Sequence, residues 1–196
     1  LSGYLIGSQI LGPLQRGDSL SLPRFYARRL LRTLPNKWVV LALYFAFPAM
    51  MGGREPPALW RFLSFTQNIQ LPPGTAFSHA WSLCVEEQFY LVLPLLALLG
   101  QRWVRSPRVA WALWATAIGA GITLRSLLWQ RYGLEAGNAV AGYHPHLYYA
   151  TWCRADEFLP GVGVAMLQHW HPAAWQRLMT RGRALLAGGL AAVGAM

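Results

Sequence analysis

The sequence predicts an all-α protein, a partial polytopic bundle of transmembrane helices, and three observations carry that reading. Of the 196 residues, 55% are hydrophobic and only 12% charged, about half the charge of a typical soluble domain. The apolar residues come in long uninterrupted runs. Most of the basic residues, which are 16 Arg and Lys37 in all, gather in short clusters between those runs, at residues 24–37, 102–108 and 177–183. So little charge cannot cover a compact soluble surface, and a disordered tail or a secreted disulfide scaffold is excluded on the same grounds. The net charge of +10 invites a nucleic-acid reading, but clusters placed between apolar runs are membrane punctuation. The expected partner is the lipid bilayer, with no nucleic acid. Cys84 and Cys153 lack C-x-x-C spacing and read as small core residues.

The elements follow in order. Residues 1–14 are apolar but shorter than the ~20 needed to cross a bilayer, and read as the remainder of a truncated span. A basic segment follows, in which Ser21 caps a short helix with Pro23 in its first turn. Residues 38–51 form a second, barely sufficient span, and a long mixed loop runs from there to His79. Residues 83–100 form the third span, kinked at Pro94, where the ring removes a bond to the carbonyl of Tyr90. After a basic turn at 101–108, residues 109–129 form a clean span whose Gly119, Ala120 and Gly121 suit close helix packing. A second long loop covers 130–156. Residues 158–170 form a short span containing Gly161 and Gly163, and 184–196 is a further span cut short. A chain that begins without Met and ends within an apolar run reads as a piece of a longer protein.

Counting basic residues by alternate sides puts Arg16, Arg24, Arg28, Arg29, Arg32, Lys37, Arg102, Arg105, Arg108, Arg177, Arg181 and Arg183 on one side. Arg54, Arg61, Arg125, Arg131 and Arg154 lie on the other. The positive-inside rule then places the basic segments in the cytoplasm and the loops around His79 and His144 outside. A multi-pass protein of the inner (cytoplasmic) membrane is expected.

The stretch with the most chemistry is Trp81-Ser82-Leu83-Cys84-Val85-Glu86-Glu87-Gln88-Phe89-Tyr90. An acid at the centre of a span costs about 2.5–3.5 kcal/mol on an insertion scale, so a polar interior must receive Glu86 and Glu87. Neighbours on a helix diverge by about 100°. One acid therefore faces a cavity while the other takes a structural partner, and Glu86 shares its face with Tyr90, four residues on. Solvation at the interface, or pairing with Arg, is the plainer alternative. His144-Pro145-His146 and His169-Trp170-His171 resemble metal-ligand pairs, but i, i+2 spacing does not put two imidazoles on one helix face, and no metal is expected. Most tryptophans, among them Trp38, Trp103, Trp129 and Trp170, fall near expected helix ends and fit an interfacial belt. Trp60 and Trp81 remain candidates to stack on a glycan.

With Pro94, the Trp81–Tyr90 string resembles the signature of the membrane-bound acyltransferase-3 family. Three further stretches match in order: Leu1-Ser2-Gly3-Tyr4-Leu5-Ile6, residues 25–35 (FYARRLLRTLP) and residues 154–161 (RADEFLPG). The resemblance implies a helical membrane domain that this chain covers in part. It also implies an acyl-CoA (acetyl-CoA) donor entering from the cytoplasm, no tightly bound cofactor, and transfer of the acyl group to a hydroxyl of an extracytoplasmic carbohydrate. The family's first span carries a basic residue and then a catalytic histidine, and by this resemblance it would lie just before Leu1. Such a histidine suits the chemistry, since a hydroxyl attacking a thioester needs a base poised near neutral pH.

The resemblance implies roles for Glu86 and Glu87, with His79 as a positioning residue beside them. Arg28, Arg29 and Arg32 become candidates for the coenzyme A phosphates. Arg29 and Arg32 share a helix face on which guanidinium forks could bind them, although plain positive-inside anchoring gives the same residues. Trp81, Tyr90, Arg154 and Asp156 are candidates for the acceptor, with Arg154 and Asp156 expected to pair at the outer entrance of a short helix. Two other readings stay open. Polar residues in broken helices also suit a transporter or flippase that uses Glu86 or Glu87 as a coupling or substrate site, and a non-catalytic remnant is the third.

Overall fold

The computed structural model describes residues 1–51, 55–100, 106–133 and 139–194, and among them there is no β-strand. The helices are α1 (Ser2–Gln15), α2 (Leu22–Ala46), α3 (Pro48–Met51), α4 (Leu59–Leu63), α5 (Trp81–Gly100), α6 (Pro107–Tyr132), α7 (Ala139–Tyr143), α8 (Leu159–Trp170), α9 (Pro172–Thr180) and α10 (Gly182–Gly194). The fold is all-α, as the sequence predicts. Arg54, Arg102, Trp103 and Arg105, used in the charge and aromatic arguments, lie outside the described residues.

One boundary expectation is corrected. The short basic helix and the span at 38–51 are a single 25-residue helix, α2, which runs through Pro35 and ends at Ala46. Proline removes one backbone donor and crowds the preceding turn, but flanking helix turns and tertiary contacts can carry a helix across it. Ser21 holds the extended N-cap conformation without a side-chain capping bond. Ser106 does cap α6, its hydroxyl accepting from Val109 N at 3.4 Å. Helix α5 likewise continues across Pro94, which is buried.

Two packing contacts place the functional residues. The first is a close crossing of α1 and α8 on small residues. A Cβ on Gly3 would collide with the carbonyl oxygen of Phe158, one on Gly7 would lie 2.8 Å from the Ala165 Cβ, and one on Gly161 would lie 2.5 Å from Tyr4 N. Only residues lacking a Cβ allow these backbones to meet so closely. The second is the antiparallel pairing of α2 and α5. Tyr26 donates to the Leu91 carbonyl at 2.8 Å, Arg29 reaches Glu86, Thr33 reaches Glu87, and Leu41 packs with Phe77 and Ala80 at the start of α5. A second cluster joins α1 to α5 through Ile6, Ile10 and Tyr90, with Phe25, Phe89 and Leu93 around it.

The two long loops are more ordered than their composition suggests. The first carries α4 and then three non-glycine residues in the left-handed region, Phe65, Gln70 and Phe77. The second contains α7, a π-helical turn at His144–Tyr148 and two 3₁₀ turns. An amide pair, Asn68 buried and Gln88 half-buried, ties both to α5. Gln88 Nε2 donates to the Phe65 carbonyl at 2.5 Å and to Asn68 Oδ1 at 3.1 Å. Asn68 Nδ2 donates to the Tyr149 carbonyl at 2.9 Å, and the Thr151 hydroxyl donates to Gln88 Oε1 at 2.5 Å.

Helices α5, extended back to Ser78, and α6 are long and apolar enough to cross a membrane. Almost none of the apolar window of α6 is buried within the chain, and its Leu113, Ile122, Leu124 and Leu127 are exposed. An apolar helix so uncovered requires lipid or further protein around it.

Candidate active site

The polar centre of the fold is built where α1, α2 and α5 meet. Helix α2 presents Arg29, Thr33 and Lys37 at four-residue intervals, one polar stripe on an otherwise mixed helix. Helix α5 brings Glu86 and Glu87 to that stripe. Glu86 Oε1 accepts three hydrogen bonds: from the Ser2 hydroxyl at 2.9 Å, from Arg29 Nη2 at 3.0 Å, and from the Tyr90 hydroxyl. Glu87 Oε1 accepts from the Thr33 hydroxyl at 2.9 Å and lies 3.6 Å from Arg29 Nε. The Arg29 guanidinium also sits over the Tyr90 ring, 3.4 Å from its centroid, a cation–π contact strengthened by burial.

The two acids are therefore not equivalent. Both contact the one guanidinium of Arg29, while Lys37, the further cation on this stripe, bonds elsewhere. The Glu87 side chain is 8% exposed and that of Glu86 28%. All three Glu86 donors converge on Oε1, and among the described residues Oε2 receives none, so one oxygen of this carboxylate can take a further donor. Lys37, counted as a cytoplasmic charge in the sequence, is corrected: it lies two turns beyond Arg29 inside the bundle. Its Nζ donates to the Phe62 carbonyl at 2.5 Å and sits 3.2 Å from the Phe65 ring centroid.

On one side of this cluster lies a cleft of about 780 Å³ between α1, α2 and the end of α8. Arg16, Arg24, Arg28, Arg29 and Arg32 line it, with Tyr4 and Ser8 opposite. Arg16 is engaged by Asp18 at 3.1 Å, in an exposed pair. Arg29 is the residue common to the cleft and the acids. A cleft of this volume lies within the ~300–1,000 Å³ range of small-molecule sites, and its charge favours an anionic guest.

His79 is not brought into hydrogen-bonding contact with the acids. It sits in the 3₁₀ turn ahead of α5, edge-on to Phe77 with ring centroids 5.0 Å apart and 6.2 Å from Tyr44. Trp81 packs on Tyr148 at 4.9 Å between centroids and on Tyr149 at 6.0 Å. The expected Arg154–Asp156 pair is corrected. Arg154 Nη1 donates to Glu157 at 2.5 Å, while Asp156 accepts from Arg125 Nη1 of α6 at 2.7 Å. Side chains two apart diverge on a tight turn, whereas i, i+3 neighbours nearly eclipse on a 3₁₀ helix, and Arg125 reaches Asp156 because Gly121 leaves room. A Cβ there would lie 2.6 Å from the carboxylate. Sequence reasoning missed Arg125 as a partner. An arginine two turns inside the end of an apolar helix was itself the available signal.

Both cysteines are free and fully buried, as expected, and burial pushes the Cys153 thiol above its ordinary value. His169 contacts Gln15 Oε1 at 3.0 Å, and His171 accepts from Trp111 Nε1 at 3.1 Å. His146 stacks on Tyr132 at 4.0 Å between centroids.

The chain belongs to the acyltransferase-3 family, whose profile, described as an acyltransferase domain, matches residues 1–196. It is 30% identical over 184 residues to the peptidoglycan O-acetyltransferase OatA of Listeria monocytogenes, an alignment covering 85% of this chain and 28% of that protein. It is 26% identical over 184 residues to the putative peptidoglycan O-acetyltransferase YrhL of Bacillus subtilis, covering 85% and 27% respectively. Over 112 residues it is 30% identical to the O-acetyltransferase OatA of Staphylococcus aureus, covering 49% and 18%. The chain thus spans little more than a quarter of the length of the first two relatives. No solved structure matches it.

Proposed function

We propose that the full-length protein is a membrane O-acetyltransferase that moves an acetyl group from acetyl-CoA to a hydroxyl of an extracytoplasmic, peptidoglycan-type glycan. The observation that carries the reading is Arg29, whose guanidinium belongs both to the basic cleft and to the Glu86–Glu87 cluster. In this reading the cleft takes the donor. Arg24, Arg28 and Arg32 neutralise the phosphates of coenzyme A, and the thioester end points toward Glu86.

The reaction forms a bond from the acceptor oxygen to the thioester carbonyl carbon and breaks the carbon–sulfur bond. The hydroxyl proton leaves through a base and ends on the coenzyme A sulfur. A histidine poised near neutral pH is the usual base for such a step. Glu86 serves it by accepting its second ring N–H on the open Oε2, which fixes the tautomer and favours the charged imidazolium. Ser2 supports that geometry, because its bond to Glu86 brings the first turn of α1 to the acid. Glu87, held by Thr33 and less exposed, fixes Arg29. The membrane placement rests on the uncovered apolar face of α6 and on the basic segments between the spans.

The test uses the full-length protein in proteoliposomes supplied with acetyl-CoA and a glycan acceptor. The expected result is release of free coenzyme A thiol that depends on the acceptor and is lost in Glu86→Gln. Acetyl-CoA left unconsumed by the wild-type protein in the presence of acceptor would overturn the reading.

A further inference from the structure

A second cleft, about 400 Å³, lies between the C-terminal end of α6 and the turns from Tyr143 to Arg154. Its walls are Arg125, Trp129, Gln130, Tyr143 and Arg154. Trp129 and Tyr143 stand edge-to-face with ring centroids 5.7 Å apart. Helix spacing puts Arg125 and Trp129 on one face, with Ser126 and Gln130 beside them. The sequence alone reads Trp129 as a membrane-interface residue. In the structure it shares a cleft with two guanidinium groups and a primary amide.

Both arginines are fixed before any ligand arrives. Arg125 Nη1 donates to the Cys153 carbonyl at 2.8 Å and to Asp156 at 2.7 Å. Arg154 Nε donates to the Tyr148 carbonyl at 3.1 Å, and its Nη1 is held by Glu157. Each guanidinium is balanced by its own carboxylate, so the cleft does not demand a polyanion. Its remaining N–H groups, the Gln130 amide and an aromatic wall suit a neutral or singly charged ring bearing hydroxyl and amide groups, which is the chemistry of an N-acetylated sugar. Fixed donors also lower the ordering cost of binding.

The position of the cleft relates it to the acid cluster. Arg154 lies 5.5 Å from the centroid of the Trp81 ring at the first turn of α5. Glu86 is five residues further along the same helix, about 7.5 Å of axial rise. Counting along α5, the wall of this cleft lies toward the N-terminal side of the acids, and the pairing of Tyr26 with Leu91 places the start of α2, which bears the cleft arginines, toward the C-terminal side. We infer that this second cleft binds a sugar ring of the acceptor glycan, with Trp129 stacking on the ring and Arg125 and Gln130 hydrogen-bonding its substituents. The assignment rests on the acetyl-transfer reading for the word acceptor, but not for saccharide binding itself.

The experiment measures binding of a β-1,4-linked N-acetylglucosamine tetrasaccharide to the full-length protein in nanodiscs by calorimetry, without donor. Trp129→Ala is expected to raise Kd by about tenfold, the loss of one aromatic contact with the sugar. Gln130→Ala should raise it by a smaller factor, and Trp129→Phe, which keeps a ring, should stay within about threefold of wild type. Equal Kd values for wild type, Trp129→Ala and Gln130→Ala overturn the assignment while leaving acetyl transfer standing. Absence of saccharide binding to the wild type also overturns it and returns Trp129 to the interface belt. The expected pattern in a protein that does not consume acetyl-CoA supports the cleft and overturns the enzyme reading instead.

Discussion

Two sets of ion pairs hold this chain together, and they are built on opposite principles. At the meeting of α1, α2 and α5, two carboxylates share the single guanidinium of Arg29, and the difference is made up by hydroxyl donors from Ser2, Thr33 and Tyr90. Where α6 meets the second loop, Arg125 pairs with Asp156 and Arg154 with Glu157, one to one. A balanced pair holds its guanidinium in place and leaves only neutral-type hydrogen bonding to offer a ligand. Two carboxylates on one guanidinium leave a carboxylate oxygen open, the property needed to orient a base or stabilise a developing cation. The contrast teaches that a one-to-one ion pair fixes geometry, while two carboxylates on one guanidinium leave an acceptor oxygen open for chemistry.

The largest effect is expected from breaking the shared pairing. Arg29→Met leaves two carboxylates in a mostly buried site with no guanidinium, a loss of about 3–5 kcal/mol by analogy with broken buried pairs. A fall in thermal midpoint together with loss of acetyl transfer checks it. A variant as stable as wild type would show that hydroxyl donors alone carry the acids.

Asp156→Asn should cost less, about 1–3 kcal/mol, because Arg125 keeps its bond to the Cys153 carbonyl while losing its counter-charge. Turnover per folded molecule at saturating acceptor should hardly change. Denaturation midpoints and turnover measured on the same preparation separate the two effects, and a drop in turnover without a drop in stability would break the distinction drawn above. A third change probes the frame that carries both sites. Gly7→Leu forces a side chain into the 2.8 Å approach to Ala165, and overpacking of this kind costs about 1–3 kcal/mol. The smallest effect is expected at Glu157, half exposed. Glu157→Gln should shift stability by about 0–1 kcal/mol, and a larger shift in the melting curve would promote this pair to a buried one.

Much of the candidate site was legible because it is local. Adjacent acids in a span, a tyrosine four residues on, and arginines at i, i+3 are patterns within one helix, and the fold brings Glu86, Glu87, Tyr90 and Arg29 together. What was not legible depends on contacts between distant segments. Lys37 sits at the end of a basic run, so composition assigned it to that run, whereas the continuation of α2 carries it into the interior. Arg154 and Asp156 are neighbours in sequence, yet their partners are chosen by turn geometry and by an arginine 31 residues away. Gln88 stands in the Trp81–Tyr90 string without a role of its own. Its task, joining Phe65, Asn68 and Thr151, is visible only when both loops are folded against α5.

The central claim is that Glu86, not Glu87, is the acid that serves the reaction. Its most direct test compares kcat for acetyl transfer in the full-length Glu86→Gln and Glu87→Gln proteins, with the folded fraction of each measured alongside. The account predicts a loss of about 100-fold or more for Glu86→Gln at near-wild-type stability, and for Glu87→Gln a loss that follows its folded fraction. Equal losses in both variants, or full activity in Glu86→Gln, would contradict it.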